Sequence, residues 1–572
     1  MGSFLRPFDA GLVAGYLTVA SLALWSLAII TGDLSIGALG LASSLSPLYY
    51  LALIALFAAF LVSMRLPGRP YLRYAHVLLL VAYLFLTPAL VEPSPRFRAF
   101  SSLLGFSDYI ARNHVISPAD IWYHNWPGGS IIAYLITAIS SGIDQFALVR
   151  LFPFFAELLY FFPVYALLKY TLRSERLVFA GVWIFFALNF VNQDYFSPQA
   201  IAYLIFLVLL AIIVKLLVDG DYRVTKSYLF VILVLYAFLC VTHMLSSLLL
   251  IIILAVALLV VRRDRPGGDG PRGSRRGLIE PFTIGLRNKN LLSLLVIFVI
   301  TFGLWTLYGA NFYLQWNFKG IMFSAFNMAS FLAINFGSRV AGSPAHQLIT
   351  RLMIVTAVVS GGMAMLICVA GVLRKTAQTV NNLVLTVMLA AIGLAALFYP
   401  YGGEMIIRVF LFSIPLLTIF LAQGLATRLK TVVVLFVLLL TLAHVVVHYG
   451  NEVYDYVPPG ELTSFSFLYD HANYGPGDLK YIVSGYPLYD YRFMENNYVM
   501  SFADLIWDGQ RYYDPKVLNQ TGDYVLLSRS DLVQYDYYFN NVSDLKTFQS
   551  NLADSFSYNK LYSNPDTSIY GC

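Results

Sequence analysis

The sequence is poor in charged residues. Asp, Glu, Lys and Arg make up only 12% of its 572 residues, whereas soluble globular domains carry about 25%. The chain therefore has half the usual supply of charge for covering a surface that faces water. This shortage excludes a soluble enzyme, a nucleic-acid-binding protein and an intrinsically disordered protein.

Cysteine is also scarce, with three residues in the whole chain. Cys240 and Cys368 lie in apolar runs and Cys572 is the last residue, so the C-terminal region contains no pair of cysteines for a disulfide framework. The sequence also lacks a G-x-x-x-x-G-K-[ST] phosphate loop and a dinucleotide-binding glycine fingerprint. These absences exclude a site built on a cytoplasmic nucleotide-binding fold.

Apolar residues dominate instead. Hydrophobic residues make up 59% of the chain and aromatic residues 16%, with a mean hydropathy of +0.71. A membrane-crossing helix needs about 20 mostly apolar residues, and such runs predict an α-helical polytopic membrane protein with about thirteen transmembrane helices. The predicted spans lie at roughly 9–31, 47–64, 75–92, 146–168, 177–192, 198–217, 227–242, 246–261, 291–312, 352–373, 380–399, 405–425 and 431–449.

Basic residues indicate the orientation because they are retained on the cytoplasmic side. With the N-terminus inside, 22 of the 30 Lys and Arg residues before Asn451 fall on cytoplasmic segments. An odd number of spans then exports the rest of the chain, where 16 acidic residues face 7 basic ones. The glycosylation sequons at Asn519 and Asn541 fall there and are usable only outside. We therefore expect a plasma-membrane protein with an exported C-terminal domain.

The chain is thus predicted to have three parts. They are additional N-terminal transmembrane helices at 1–74, a transmembrane catalytic module at 75–449 and an extracytoplasmic α/β domain at 450–572. Alternating segments at 481–484 and 523–528 indicate strands in the last part. The Gly/Pro/Arg-rich segment 262–290 is a cytoplasmic linker, whose charge fits positive-inside topology or attraction to anionic lipid head groups.

Ionisable residues near membrane depth are costly, so they indicate function unless they serve topology. On the outer side they come from separate loops, all close to the outer ends of spans. A single cavity opening outward could collect most of them: Asp108, Asp120, His124, Asp144, Asp194, His243, Arg339, His346, Glu404 and Arg408.

The first candidate is the outer loop 93–128, which contains Asp108 and closes with a Trp-Pro-Gly turn at 126–128. The stretch 128–143 is too short to cross and is expected to lie at the outer surface. The chain thus has an acid, an aromatic–Pro turn, an interfacial helix and a span, in this order. This order resembles that of the GT-C superfamily of membrane glycosyltransferases. The resemblance implies that Asp108 is the catalytic base. From the residues alone, Asp108 also fits a helix N-cap or a solvated loop carboxylate.

The second candidate is the hairpin 192–199, Asn-Gln-Asp-Tyr-Phe-Ser-Pro-Gln, which is crowded with hydrogen-bonding side chains. Members of the superfamily of the actinobacterial and archaeal type carry a similar motif, which implies that Asp194 is a second acid that binds sugar hydroxyls or a divalent ion. The residues alone equally allow Asp194 and Ser197 to cap the next helix, with Pro198 in its first position. Gln193, Gln199 and His124 are predicted to bind the acceptor or the sugar.

The third candidate is the pair Glu404 and Arg408, which are four residues apart and share one face of a helix. A local ion pair is the simple alternative, but an Arg nearly a turn inside an apolar span is costly without a further role. The resemblance is strongest here, because similar proteins have Tyr-Gly-Gly-Glu followed by Arg. It implies that Arg408 binds the phosphate of a polyprenyl carrier, which suits the planar guanidinium fork.

Three further residues are weaker candidates. A Thr-His pair recurs in the relatives, so the resemblance implies that His243 assists at the donor phosphate, although a lone His is more often a packing residue. Arg339 and His346, in the outer loop 313–350, are also placed to meet that phosphate.

The resemblance implies an inverting glycosyltransferase that moves a sugar from a polyprenyl-phosphate carrier to an acceptor hydroxyl on the outer face. We expect no cofactor and no metal, and the acceptor stays open between glycan, lipid and protein. The Trp-Trp-Asp-Tyr-Gly signature of oligosaccharyltransferases is absent, which argues against transfer of a whole glycan to Asn. A transporter or flippase for lipid-linked sugars, or a glycan polymerase, is the alternative.

Overall fold

The structure is a computed structural model. It describes residues 7–32, 36–119, 121–140, 142–172, 174–219, 226–260, 289–324, 327, 329, 343–373, 379–395, 404–471, 480–484, 488, 497–501, 524–539, 542–554 and 558–571. The predicted residues Asp120 and Arg339, the asparagines of both sequons and most of the linker 262–290 lie outside this part of the chain.

Helices dominate the described residues. In chain order they are α1 Pro7–Ile30, α2 Gly40–Ser44, α3 Pro47–Ser63, α4 Pro70–Val81, α5 Thr87–Val91, α6 Phe100–Asn113, α7 Gly128–Ile139, α8 Gln145–Thr171, α9 Glu175–Leu188, α10 Pro198–Asp219, α11 Lys226–Thr242, α12 Met244–Val260, α13 Lys289–Leu304, α14 Asn311–Ser324, α15 Pro344–Leu373, α16 Thr379–Ala395, α17 Met405–Gly424, α18 Lys430–Tyr449, α19 Glu452–Asp455, α20 Pro459–His471, α21 Arg529–Phe539 and α22 Ser543–Ala553. The strands are β1 Lys480–Ser484, β2 Asn497–Ser501, β3 Tyr524–Ser528, β4 Asn559–Ser563 and β5 Thr567–Gly571.

Each of the thirteen predicted spans coincides with a helix. Within the described ranges, eight helical stretches are long and apolar enough to cross a membrane, and several others are apolar but shorter. The prediction of a helical polytopic membrane protein with a C-terminal α/β region is therefore confirmed. The number of crossings, the orientation and the boundaries between the three parts remain predictions.

The spans share one apolar core, in which Trp183 is fully buried. The core also shows why the helix that begins at Pro70 widens into a π-helical turn at Ala82–Leu86. Pro88 has no N–H to donate to the carbonyl of Leu84, four residues earlier. The hydroxyl of Tyr449, from the end of α18, donates a hydrogen bond to that carbonyl instead. The last span is therefore fixed against the start of the outer loop.

The outer loop 93–128 is more ordered than a loop. Its central part forms α6, and Asp108 lies in the middle of this helix, so the interpretation of Asp108 as an N-cap is wrong. The next helix, α7, has 12 residues and is about 18 Å long at 1.5 Å per residue. As predicted, it is too short to cross a bilayer. Asp144 caps the following span by accepting hydrogen bonds from the N–H groups of Phe146 and Ala147.

The C-terminal region forms a five-stranded mixed sheet in the order β2-β1-β3-β5-β4. Strand β1 is parallel to β2 and β3, whereas β5 is antiparallel to β3 and β4. The two segments predicted as strands are β1 and β3. Pairing of β1 with β3 in register from Ile482 with Tyr524 brings together segments that are far apart in the sequence.

The sheet packs on the outer loop rather than standing apart from it. Leu526 and Ile569 of the sheet share an apolar cluster with Phe106 of α6 and Phe196 of the hairpin 192–199. A buried ion pair joins the same two parts, with Nη1 of Arg98 2.5 Å from Oε1 of Glu461. The C-terminal region and the outer loop therefore lie on the same side of the helical bundle.

Candidate functional site

A cavity of about 260 Å³ lies at one end of the bundle. Five separate stretches of the chain line it: the turn before α7, the hairpin 192–199, the junction of α11 and α12, the start of α14 and the first turns of α17. The lining side chains are Trp122, Tyr123, Trp126, Gln193, Tyr195, Ser197, Pro198, Gln199, Thr242, His243, Met244, Tyr313 and Arg408. Gln193, Gln199, His243 and Arg408, which the sequence analysis selected from three different loops, meet in this cavity.

The aromatic wall of the cavity is held by a buried amide. The side chain of Asn125 donates hydrogen bonds to the carbonyls of Pro118 and Trp122, at 3.1 and 3.0 Å. Its Oδ1 accepts a hydrogen bond from the N–H of Tyr313, at 3.1 Å. The ring of Tyr313 then meets Trp122 and Trp126 edge-on, with centroids 4.5 and 4.6 Å apart. Three aromatic rings are thereby fixed around one wall.

Glycine is required where the turn closes on the cavity. A Cβ on Gly128 would collide with Thr242, and a Cβ on Gly129 would lie 2.6 Å from Cβ of Pro198. Thr242 and Pro198 both line the cavity. The Trp-Pro-Gly-Gly sequence therefore allows the start of α7 to approach the hairpin and the end of α11 more closely than any side chain would permit.

The hairpin 192–199 supplies polar groups. The hydroxyl of Ser197 accepts a hydrogen bond from the N–H of Ala200, at 3.2 Å, and Pro198 begins α10, so this half of the capping interpretation is confirmed. Gln199 follows with its side chain in the cavity wall. Both polar atoms of its amide are buried and lack a hydrogen-bond partner among the described residues, in a side chain only 4% exposed.

Arg408 provides the positive charge of the cavity. It lies one turn into α17, and its guanidinium contacts Oε2 of Glu404 through Nε at 3.1 Å and Nη2 at 2.6 Å. The arginine side chain is 13% exposed and the glutamate 42% exposed. Glu404 itself does not line the cavity. The predicted ion pair therefore exists, with the carboxylate of Glu404 outside the cavity wall and the guanidinium of Arg408 in it.

His243 lies beside Arg408 at the junction of α11 and α12. Its Nδ1 accepts a hydrogen bond from the N–H of Ser246 at 3.3 Å, which places the proton of the neutral ring on Nε2. Burial, and then the positive charge of Arg408, lower the pKa of His243 to about 3. The imidazole is therefore neutral at physiological pH, and its Nε2–H can donate a hydrogen bond.

Asp194 faces away from the cavity. Its Oδ2 lies 3.6 Å from Nη1 of Arg96 and 3.5 Å from Nε2 of His448. Burial raises the pKa of the carboxyl, but His448 and Arg96 together hold it below its ordinary value. The interpretation of Asp194 as a helix cap is wrong, because its carboxylate belongs to this buried cluster. Its predicted contact with sugar or with a divalent ion stays a prediction.

The remaining predicted residues that the structure describes do not line the cavity. Asp108 is half-exposed on α6, with Oδ2 2.9 Å from Nε of Arg112. His124 is buried behind the aromatic turn, where its Nδ1 accepts a hydrogen bond from the N–H of Ser117 at 3.1 Å, and burial lowers its pKa to about 4. His346 lies at the start of α15 beside Thr350. Arg339 is outside the described residues.

The sequence analysis missed the aromatic wall and the buried arginine. Trp122, Trp126 and Tyr313 carry no signal of their own in a chain with 16% aromatic residues, because the membrane interface also attracts Trp and Tyr. Arg96 did carry a signal. It is a basic residue in a predicted outer loop, against the positive-inside rule. Within the described part of the chain, no group of three or more His, Cys, Asp or Glu side chains could hold a metal ion.

No protein-family model and no curated protein matches the sequence. Solved structures do show similarity. The oligosaccharyltransferase of Archaeoglobus fulgidus, in complex with Zn and sulfate, matches over 87% of this chain and 73% of that chain, with 12% identity and a TM-score of 0.48. The same enzyme tethered with an acceptor peptide containing the NVT sequon matches over 88% and 74%, with 12% identity and a TM-score of 0.45.

ArnT from Cupriavidus metallidurans, bound to undecaprenyl phosphate, matches over 88% of this chain and 98% of that chain, with 14% identity and a TM-score of 0.42. Both proteins belong to the GT-C superfamily that the sequence motifs resemble. Because these three TM-scores are below 0.5, a proposal of function has to rest on the residues of the cavity itself.

Proposed function

We propose that this chain is a membrane glycosyltransferase that takes a sugar from a polyprenyl-phosphate carrier and transfers it to an acceptor hydroxyl at the extracytoplasmic face. One observation carries the proposal. A single cavity at the end of the bundle combines a cation on an apolar span, two neutral amides and a wall of aromatic rings. An amphiphile whose phosphate stays near the membrane surface requires this combination.

Arg408 is the group that recognises phosphate. Its Nε and Nη2 both contact one oxygen of Glu404, and the same two donors suit a phosphate oxygen. Arginine binds phosphate through two parallel N–H donors. Because Glu404 is more exposed than Arg408, its carboxylate can turn to water when the lipid phosphate arrives. The Nε2–H of His243 then adds a second hydrogen-bond donor, which is uncharged.

The amides and rings suit a neutral sugar. Gln193 and Gln199 each offer both a donor and an acceptor, which is what a sugar hydroxyl needs. The carbon-bound hydrogens of a pyranose or furanose face pack on aromatic rings, and Trp122 and Trp126 are held in place by Tyr313. The polar groups would set the orientation, and the rings would contribute the apolar contact area.

In the reaction, the acceptor oxygen attacks the anomeric carbon, a new C–O bond forms, and the bond to the phosphate oxygen breaks. The electron pair leaves with the phosphate, whose charge Arg408 stabilises. A single displacement inverts the configuration. The acceptor proton goes to a base, and we assign Asp108 to this role. The carboxylate of Asp108 lies outside the cavity wall, beside Arg112, so this assignment is supported by the sequence motif.

The expected side of the membrane follows from the C-terminal region. That region packs on α6 and on the hairpin 192–199, so it lies on the same side as the cavity. Its 16 acidic residues against 7 basic ones are the composition expected of an exported segment. The acceptor is therefore an extracytoplasmic hydroxyl compound.

The proposal is tested with purified protein in lipid nanodiscs. A panel of polyprenyl phosphates carrying radiolabelled sugars is supplied, together with an extract of cell-envelope glycans, lipids and proteins as acceptors. Release of polyprenyl phosphate is followed by thin-layer chromatography. Arg408→Ala should lower the rate by about 100-fold or more, since charge-assisted hydrogen bonds contribute about 1.5–3 kcal/mol each.

A matched control exists in Arg351, which also lies in the first turns of an apolar helix and contacts the residue four positions earlier, with Nη2 3.2 Å from Oε1 of Gln347. Arg351→Ala should leave the rate unchanged. If wild-type protein releases no polyprenyl phosphate but moves the intact lipid across vesicle membranes, the flippase alternative replaces the transferase. Products that lengthen by whole repeat units would instead identify a polymerase.

The base is tested separately. Asp108→Asn should lower turnover by about 100-fold or more, the usual size of a general-base contribution, with binding of undecaprenyl phosphate unchanged. Arg112→Gln, which removes the ion-pair partner of Asp108, should retain turnover within about threefold. Near-normal turnover of the Asp108→Asn variant would remove Asp108 from the mechanism.

A further inference from the structure

The hairpin 192–199 has two faces with different surroundings. Gln193, Tyr195, Ser197, Pro198 and Gln199 line the cavity. Asp194 and Phe196 are instead buried in the protein interior, where Phe196 belongs to an apolar cluster. The contacts of the buried side chains therefore determine how the cavity-lining side chains are oriented.

One buried arginine organises the polar part of the face that is turned to the interior. Nη2 of Arg96 donates to Oδ1 of Asn192 at 3.3 Å, and Nη1 lies 3.6 Å from Oδ2 of Asp194. On its other side, Nε donates to Oε1 of Glu452 at 2.5 Å. His448 completes the cluster, with Nε2 2.8 Å from Nη1. The hairpin is thus attached, through one guanidinium, to the end of α18 and the start of α19.

An aromatic contact connects the same arginine to the cavity face. Phe97 has a left-handed backbone, with φ of 64°, a conformation that is rare for a bulky residue. This conformation places its ring against both neighbours. The guanidinium of Arg96 lies 4.7 Å from the ring centroid, and Tyr195, which lines the cavity, stacks on the ring at 5.1 Å. Strain of this kind persists where surrounding contacts enforce it.

We propose that Asp194 is a positioning residue: its carboxylate, ion-paired with the guanidinium of Arg96, fixes the hairpin so that Gln193 and Gln199 face the cavity. Asp194 acts through its neighbours and does not itself touch the sugar. The importance of the cavity rests on the proposed function, but the positioning role is a property of the backbone and is measurable without turnover.

The experiment is hydrogen–deuterium exchange of the full chain in nanodiscs, followed by mass spectrometry of peptides that cover 189–199. Asp194→Asn keeps the shape of the side chain and removes its charge. Exchange across the hairpin should accelerate by about tenfold, which corresponds to a loss of about 1.4 kcal/mol of local stability. Peptides from α10 and α17 should exchange as in the wild type. Binding of undecaprenyl phosphate, measured by native mass spectrometry, should change less than about threefold, while kcat/KM falls at least about tenfold.

Two control variants sharpen the result. Glu175→Gln removes an exposed acid that pairs with the buried Arg73, away from the hairpin, and should change none of these readouts. Asn192→Ala removes a neutral partner of the same guanidinium without leaving a buried charge unpaired. It should accelerate exchange in the same segment by a smaller factor. If Asp194→Asn fails to fold, this variant decides the question by itself.

The outcomes separate the two proposals. Unchanged exchange across the hairpin in both Asp194→Asn and Asn192→Ala would overturn the positioning role. If turnover were then still lost in Asp194→Asn, the carboxylate would act directly on the substrate. Accelerated exchange with no transferase activity in the wild type would support the positioning role and refute the proposed function.

Discussion

The sharpest prediction concerns Gln199, because burial of its polar side chain lowers the stability of the folded protein. The amide is buried in the cavity wall, and both of its polar atoms lack a hydrogen-bond partner among the described residues. Replacing Gln199 with Met retains the length and flexibility of the side chain and removes the amide. We expect this variant to be more stable than the wild type and less active.

The magnitude follows from the amide itself. A buried polar group without a partner costs about 1–3 kcal/mol, so Gln199→Met should raise the free energy of unfolding by about that amount. In the complex the amide gains sugar hydroxyls as partners, and the variant loses them. If the transition state loses about 1–3 kcal/mol of stabilisation in the same way, kcat/KM falls by about 5- to 150-fold.

The assay combines thermal unfolding in detergent, without ligand, with release of polyprenyl phosphate in nanodiscs. Gln193→Met is the matched control, because this side chain lines the same cavity but is only half-buried. It should lower kcat/KM without raising the unfolding temperature. A lower unfolding temperature for Gln199→Met would refute the reasoning about the unpaired amide, and unchanged kcat/KM would refute the assignment of Gln199 to the sugar.

Three further predictions use other parts of the site and the C-terminal region. His243, whose pKa is lowered to about 3, stays neutral from pH 5 to 8, so His243→Gln should keep the shape of the pH–rate profile; loss of a limb near pH 6 would contradict this. Gly128→Ala should abolish most activity, because the new Cβ collides with Thr242, whereas Gly142→Ala meets no atom within 4 Å and should retain activity. Burial raises the pKa of Asp531 to about 6, above its value of about 3.9 in the unfolded chain. The resulting contribution to stability, about 3 kcal/mol at most, is complete below about pH 4 and is lost as pH rises through 6. Asp531→Asn should therefore reduce the change of the unfolding temperature with pH between pH 4 and 7. An unchanged pH dependence would contradict the assignment.

Much of the fold could be predicted because hydrophobicity determines it locally. Apolar runs of span length gave the helices, and the alternating segments at 481–484 and 523–528 gave two strands. The order of the sheet could not be derived, since pairing of β1 with both β2 and β3 depends on contacts between distant segments. The π-helical turn before Pro88 was also beyond the sequence, because it depends on the hydroxyl of Tyr449.

The site was predictable only to the level of which segments meet. Polar residues at the outer ends of spans are expected to converge because the spans end on one surface, and Gln199, His243 and Arg408 do line one cavity, although their roles remain predictions. Which way each side chain points depends on the bends of the backbone between the two helices, which the sequence does not reveal. Asp194 therefore faces Arg96, although its neighbours on both sides line the cavity.

The chain contains few charged residues, and its arginines differ in how deeply their ion pairs are buried. Arg96 and Arg98 are almost fully enclosed with Glu452 and Glu461, and a buried ion pair resists exchange because removing one partner leaves an uncompensated charge. Arg408 differs, since its partner Glu404 is 42% exposed and water can receive that carboxylate. The first two arginines therefore join the outer loop to the C-terminal region, whereas Arg408 can exchange its counter-ion for the phosphate of a lipid.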